Sequence, residues 1–188
     1  NKIKLYSLLN KDIEFIEFGK IFDLIKSSIQ SSKVVEDPDG ITLVTGAKEF
    51  KKINIISNID ILKGNNLFIS TSGNGDKVPI KYYDKECYYS CLMSLCKMKE
   101  NYNDKINIKY VYYYLLEKQE YIEKNFQKGC ANKTLDIEEF NLMKIPIPTI
   151  DIQEEIIYYC DNNLTIIENL NKSIDGNKKI MKDIIFNK

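Results

Sequence analysis

The rhythm of hydrophobic and polar positions changes once along the chain, at "KIPIPTIDIQEEI", residues 144–156. Before it, short β-like runs alternate with turn signals; after it, the spacing is helical to the end. "FIEFGKIFDLI" reads as a strand or a short surface helix. "DPDG", Asp37 to Gly40, reads as a turn, and "ITLVTG" as a buried strand ending at Gly46. "KINIISNIDILKGNNLFIS" holds two or three strands: Ile53, Ile55, Ser57, Ile59 and Ile61 keep a period of two, and "KGNN" turns the chain. "VPIKYYD" and "CYYSCLMSLCKM" have the β-branched and aromatic composition of strands. "KYVYYYLLEKQEYIEKNF" predicts one helix. Tyr110, Val111, Tyr114, Leu115, Tyr121 and Ile122 form its apolar side, opposite Glu117, Lys118, Glu120 and Lys124. "KGCANKTLDIEEF" predicts a polar loop and a short helix with Asp136 as its N-cap. These elements predict an α+β protein: a mixed, β-rich domain over residues 1–148 with a few short helices, then a long coiled-coil-like helix over 149–188.

The last segment carries a heptad seam. Ile156, Cys160, Asn163, Ile167, Leu170, Ile174, Asn177, Met181 and Ile184 follow one another in steps of four and three. A seam this long predicts that the helix faces another helix. The two Asn fall fourteen residues apart on the same seam position, where a buried amide fixes register at a cost in stability. Gly176 weakens the helix locally.

Composition narrows the class. The 188 residues suffice for one domain with its own core and an extra element. No apolar run approaches the roughly 18 residues of a membrane span, and no signal peptide opens the chain. Five cysteines without a CxxC pair, and no histidine, argue against a disulfide framework or a zinc site. They predict reduced, mostly packed thiols and a cytoplasmic setting. Without histidine, the serine and cysteine triads that use it are excluded. The 27 basic residues, all lysine, balance 27 acidic ones. Total charge therefore gives no argument for nucleic acid, and any such surface must come from local clustering.

The candidate chemistry centres on "STSGNGDKVPI", residues 70–80. It has neither GxGxxG nor GxxxxGK[ST] spacing, and a strand follows it where a phosphate site would need a helix. A hairpin turn remains open, and so does a loop whose side chains and bare amides reach a DNA backbone or base edge. Pro38-Asp39 with Glu49-Phe50-Lys51 loosely matches the PD…ExK pattern of Mg²⁺ nucleases, in which Asp39 and Glu49 would bind the ion and Lys51 would support the attacking water. Tyr88-Tyr89 and Tyr112 to Tyr114 offer stacking faces, but at this spacing they also suit core or rim. Methyltransferase motifs (N/D/S-PP-Y/F and a Gly-rich cofactor loop) are absent from the sequence.

The order of these segments resembles the DNA-specificity subunit of type I restriction–modification enzymes, in particular one target-recognition domain with one spacer helix. "ITLVTGAKEFKK" stands where that family has its "I.W.T..D" segment, with Leu43-Val44-Thr45 in place of the usual aromatic. "ILKGNNLFISTSGNGDKVPIKYYDKECYYSCLMSL" resembles its strand, small-polar loop, strand and buried stretch. "YVYYYLLEKQEYIEKNFQKGCANKTLDIEEFNLMKIPIPTIDIQEEI" is the closest stretch, with Ile145-Pro146-Ile147-Pro148 and Gln153 to Ile156 opening the long helix. Full subunits usually carry two such sets. One set and an initial Asn1 lead to the expectation of a half-subunit, a fragment, or a domain fused behind a methyltransferase.

The resemblance implies a non-catalytic module that reads one half of a bipartite site in the major groove of double-stranded DNA. The helix would set the spacing by pairing with its own copy or with a second spacer helix. The partner is a methyltransferase subunit or fused domain, which binds S-adenosylmethionine; this chain would bind no cofactor and no metal. The residues expected on the DNA face are Thr45, Lys48, Lys51, Ser72, Asn74, Lys77, Lys128, Asn132 and Lys133. Two other readings remain: the Mg²⁺ nuclease above, and an assembly protein that holds methyltransferase subunits without reading DNA.

Overall fold

A computed structural model of the chain describes residues 13–72, 75–130 and 132–186, without the side chains of residues 179 and 182–186. In chain order its elements are β1 (Glu14–Glu17), α1 (Phe18–Ile21), β2 (Phe22–Lys26), β3 (Glu36–Val44), β4 (Lys51–Ile53), β5 (Asn66–Ser70), β6 (Ile80–Tyr83), β7 (Cys87–Tyr89) and β8 (Met93–Met98). A 3₁₀ turn (Glu100–Tyr102) leads to α2 (Ile108–Glu117), α3 (Gln119–Asn125), β9 (Gln127–Lys128), β10 (Thr134–Leu135), α4 (Ile137–Asn141), β11 (Lys144–Ile147) and α5 (Ile150–Phe186). The class is α+β.

Strand alternation builds the layers. In the sheet ordered β2-β8-β5-β6, β5 is central and all five of its residues are buried. Leu67 and Ile69 point to one face, into the main core with Phe18, Phe22, Val111, Leu115, Ile122 and Phe140. Phe68 points to the other face, where it meets Val44, Cys87 and Met93. Val44 belongs to a second sheet, β4-β3-β7, in which β3 pairs antiparallel with β4 and parallel with β7. Its neighbour Leu43 faces away, into a small cluster with Ile29, Ile53 and Tyr88. The layers are therefore helices, four-stranded sheet, three-stranded sheet, and an irregular cover formed by residues 54–65.

Several local expectations change. "DPDG" does not end a strand. It bulges within β3, because Glu36 and Ile41 both register against Ile53. Asp37 Oδ1 accepts the Asp39 amide at 3.0 Å inside the bulge. Gly40 is required there, since a Cβ would lie 2.1 Å from the Ile53 carbonyl oxygen. The isoleucines of period two form one three-residue strand only. Ile56, Ile59 and Ile61 cap the small cluster from an irregular segment, and Ile55 is exposed. The long predicted helix breaks at Lys118 into α2 and α3. Tyr121, expected on its apolar side, is half exposed, whereas Tyr110, Val111, Leu115 and Ile122 are buried. Asp136 precedes α4 without a capping hydrogen bond from its side chain.

Helix α5 spans 37 residues, about 55 Å at 1.5 Å per residue. Its first turn is fixed by one wholly buried glutamine. Gln153 Oε1 accepts the Asn107 amide at 2.8 Å, and Nε2 donates to the Lys105 and Pro148 carbonyls, each at 2.8 Å. Ile156 and Ile157 pack beside it on the main core. Strand β11 reaches this point paired antiparallel to β1, from Glu14↔Ile147 to Glu17↔Lys144. Among the described residues no helix is long and apolar enough to cross a membrane.

A buried polar group that loses its hydrogen-bond partner costs about 1–3 kcal/mol. Gln153→Leu strands one amide and two carbonyls with little change in volume. It is expected to lower unfolding stability by about 3 kcal/mol, read by denaturant unfolding. A loss below about 1 kcal/mol would mean that water replaces the amide there.

Candidate nucleic-acid interface

Three polar loops meet at one end of the sheets. The β5–β6 loop closes where the Ser70 amide donates to the Pro79 carbonyl at 2.8 Å. Helix α3 braces it: Glu123 Oε1 accepts the Val78 amide at 3.0 Å, and Gln119 Nε2 donates to the Val78 carbonyl at 3.1 Å. Gly75 in this loop has φ +55°, the left-handed region that glycine adopts freely. The β3–β4 turn packs against it, with Gly46 beside Pro79. Within that turn Thr45 Oγ1 accepts the Ala47 amide at 3.2 Å, and Phe50 meets Tyr83 edge-on with ring centroids 5.7 Å apart. Lys81 Nζ stands 5.6 Å from the Phe50 centroid. The β9–β10 hairpin closes the group: the Leu135 amide donates to the Thr71 carbonyl at 3.2 Å, and Lys133 Nζ donates to Asp76 Oδ1 at 2.6 Å.

The lysines of these loops are mostly paired. Lys51 bonds Glu36, Lys77 lies 3.8 Å from Glu123, Lys128 lies 2.5 Å from Asp136, and Lys133 holds Asp76. The Asp76 carboxyl is held below its ordinary range, first by the hydrogen bond from Lys133 and then by that lysine's charge. The hydrogen bond from Lys128 lowers Asp136 in the same way, and Lys128 itself is raised. Among the described residues no carboxylate lies within ion-pair range of Lys48 (4.0 Å or less). Burial moves the cysteines the other way: the Cys87 thiol is pushed up to about 12, and Cys96 is raised further.

The PD…ExK constellation does not assemble. Asp39 sits in the β3 bulge, whereas Lys51 registers against Leu43, which places Glu49 level with Thr45 at the far end of the hairpin. Four residues of regular strand, from Ile41 to Thr45, separate the bulge from that end, roughly 13 Å at 3.3 Å per residue. Lys51 is instead engaged with Glu36.

Helix α5 lives in two environments. Ile156, Cys160 and Asn163 are half-buried, and burial raises the Cys160 thiol. Asn163 Nδ2 turns back to the Tyr159 carbonyl at 2.9 Å. Lys109 Nζ reaches Asp161 Oδ2 at 2.8 Å, and the Tyr113 hydroxyl donates to Oδ1. Beyond Asn163, Ile167, Leu170, Ile174, Asn177 and Met181 are all exposed, with Leu164 and Ile166 beside them. The Ile184 side chain lies outside the described residues.

The sequence profile of the family described as "Type I restriction modification DNA specificity domain" matches residues 10–176. The chain belongs to this family. Among solved structures it is similar to the type I restriction–modification S subunit of M. genitalium, at 20% identity and a TM-score of 0.64, over 91% of this chain and 44% of that one. A chain from a study of complex assembly and conformational transition in the type I R-M system aligns at 13% identity and a TM-score of 0.67, over 97% and 49%. The HsdS subunit of Thermoanaerobacter tengcongensis aligns at 15% identity and a TM-score of 0.57, over 92% and 45%. At these identities the likeness is one of fold. The chain spans less than half the length of each solved relative. No curated protein sequence matches it significantly.

For a specificity domain, the arrangement sorts the residues singled out from the sequence. Thr45 and Lys48 lie on the β3–β4 turn, with Lys51 on β4. Ser72 and Lys77 lie in the β5–β6 loop, and Lys128, Asn132 and Lys133 on the β9–β10 hairpin. Asn74 falls outside the described residues. Sequence reasoning missed the carboxylates that hold four of the five lysines. Asp76 alone carried a signal, as the neighbour of Lys77. It also missed Gln127, whose Nε2 lies 3.5 Å from the Gly75 carbonyl and whose buried Oε1 has no partner.

A depressed carboxyl pKa stabilises the fold above the unfolded value, and that contribution is lost as pH falls through the folded value. The Asp76 and Asp136 contacts are therefore expected to hold above about pH 4 and to dissolve below it. Carboxyl-carbon NMR should show both titrating below about 3.9, and Lys133→Ala should return Asp76 toward that value without moving Asp136.

Proposed function

We propose that this chain is the DNA-reading module of a type I restriction–modification complex. The β3–β4, β5–β6 and β9–β10 loops take one half of a bipartite duplex site through its major groove. Thr45, Ser72, Asn74 and Asn132 read base edges; Lys48, Lys51, Lys77, Lys128 and Lys133 contact phosphates. The module performs no chemistry. A methyltransferase subunit or fused domain binds S-adenosylmethionine and acts on the extruded base. The exposed stretch of α5 pairs through Ile167, Leu170, Ile174, Asn177, Met181 and Ile184 with a second helix, from its own copy or from a second spacer, and its length sets the distance between half-sites. The observation that carries this reading is the meeting of three polar loops around Pro79 and Asp76 in a domain of this family.

Selection from random duplexes at moderate salt tests the reading. The full chain is expected to enrich one short sequence. The affinity should fall with salt, and Lys48→Ala should reduce the log–log salt slope by about 1 without changing the sequence selected. Absence of any enriched sequence would end the proposal. Capture of a methyltransferase subunit without DNA affinity would favour the assembly reading.

Pairing through α5 has its own test. Leu170→Lys introduces a charge into the exposed seam, away from every contact with the recognition domain. It should convert an associated chain to a monomer in sedimentation while leaving the domain's melting temperature within about 2 °C.

A further inference from the structure

Helix α5 makes side-chain hydrogen bonds to its domain at two places, Gln153 in its first turn and Asp161 two turns later, with Ile156 and Ile157 packed on the core between them. One point fixes a position; two fix a direction. They lie about 12 Å apart along the axis, by 1.5 Å per residue. After Asn163 every described side chain of the helix is exposed up to Met181, so Asp161 belongs to the last contact before the helix projects alone.

The contact is built, not incidental. Asp161 receives two donors on separate oxygens, Lys109 Nζ at 2.8 Å and the Tyr113 hydroxyl, both from α2. Lys109 Nζ also stands 5.5 Å from the Tyr82 ring centroid. Tyr82, Tyr112 and Tyr113 form a continuous ladder with centroids 5.6 and 5.1 Å apart. The Tyr82 hydroxyl is tied to Asn65 Oδ1 at 2.6 Å. The carboxylate on the helix is thus connected, through one lysine and three tyrosines, to the sheet edge at β6 and to the loop before β5.

We infer that Asp161, held by Lys109 and Tyr113, is a positioning residue that sets the angle at which the helix leaves the recognition domain. The consequence for DNA rests on the proposed spacing role of the helix. From Asp161 to Phe186 the helix is about 38 Å long. A swing of about 10° moves its end by about 7 Å, or two base-pair steps of about 3.4 Å.

The test uses the full chain with Cys91, Cys130 and Cys160 replaced by Ser, spin labels at Lys97→Cys and Lys172→Cys, and dilution with unlabelled chain to exclude distances between copies. The unsubstituted clamp should give one narrow distance distribution. Asp161→Ala should at least double its width while the melting temperature of the domain stays within about 2 °C. The charge exchange Lys109→Asp with Asp161→Lys should restore the narrow distribution, which a role in stability alone would not require. An unchanged width in Asp161→Ala overturns the inference. In the assembled methyltransferase complex, Asp161→Ala should admit sites one base pair longer or shorter with no more than about threefold loss. If the distribution widens and spacer choice stays strict, the clamp stands and the spacing role falls.

Discussion

The amide of Gln153 is the constraint on which the rest of the architecture depends. It lies where three segments converge: the loop before α2, the proline-bearing end of β11, and the first turn of α5. Each would leave a backbone group without a partner at that point. One glutamine satisfies an amide and two carbonyls with no remaining exposure. The geometry needs an acceptor and two donors on one planar group at that reach. Glutamate lacks the donors, leucine lacks both, and asparagine is a methylene short. A residue that spans a large sequence separation in this way couples the helix to the domain alongside the hydrophobic contacts of Ile156 and Ile157.

The opposite design governs the loops. There four of the five lysines singled out are paired with acids at the surface. A surface of free lysines would bind any duplex tightly through counterion release. Pairing Lys128 with Asp136 and Lys133 with Asp76 offsets the positive charge of the β9–β10 hairpin, which would temper the sequence-independent attraction in the reading proposed above. The Lys133–Asp76 pair also ties the hairpin to the β5–β6 loop, while Lys128–Asp136 ties β9 to the start of α4.

How much of this was legible in the sequence depended on the range of the interaction responsible. An apolar run located β5, and β-branched or aromatic composition located β6 and β8; period-two spacing was the signal used elsewhere. It failed over residues 54–61, where isoleucines at strand spacing cover a small cluster from an irregular segment with almost no ladder to join. "DPDG" has the composition of a turn and is one locally, but its outcome as a bulge depends on Ile53, a residue of the next strand. Asp136 has the right place for a cap; Lys128 across the hairpin takes its carboxylate instead. The site followed the same rule. Small polar residues and glycines marked the loops, while the acids that hold the lysines lie 57 residues from Lys133 and 46 from Lys77 in sequence. No local pattern carries pairs that only folding brings together.

The heptad seam shows where a sequence pattern stops short of an environment. Steps of four and three run without interruption from Ile156 to Ile184, yet the fold divides them. Ile156 and Cys160 are half-buried near the domain, and the open stretch begins only past Asn163. Pattern alone treats all nine positions as one surface, because burial against the chain's own domain and burial against another helix require the same apolar residues. The division has a mechanical consequence. A helix clasped over its first three turns and free thereafter transmits the orientation of its base to its far end with little loss, since an α-helix bends only gently over such lengths. The apolar positions past Asn163 can therefore be presented at a fixed distance and angle from the three loops. That rigidity, more than the length of the helix, is what the spacing role proposed above requires.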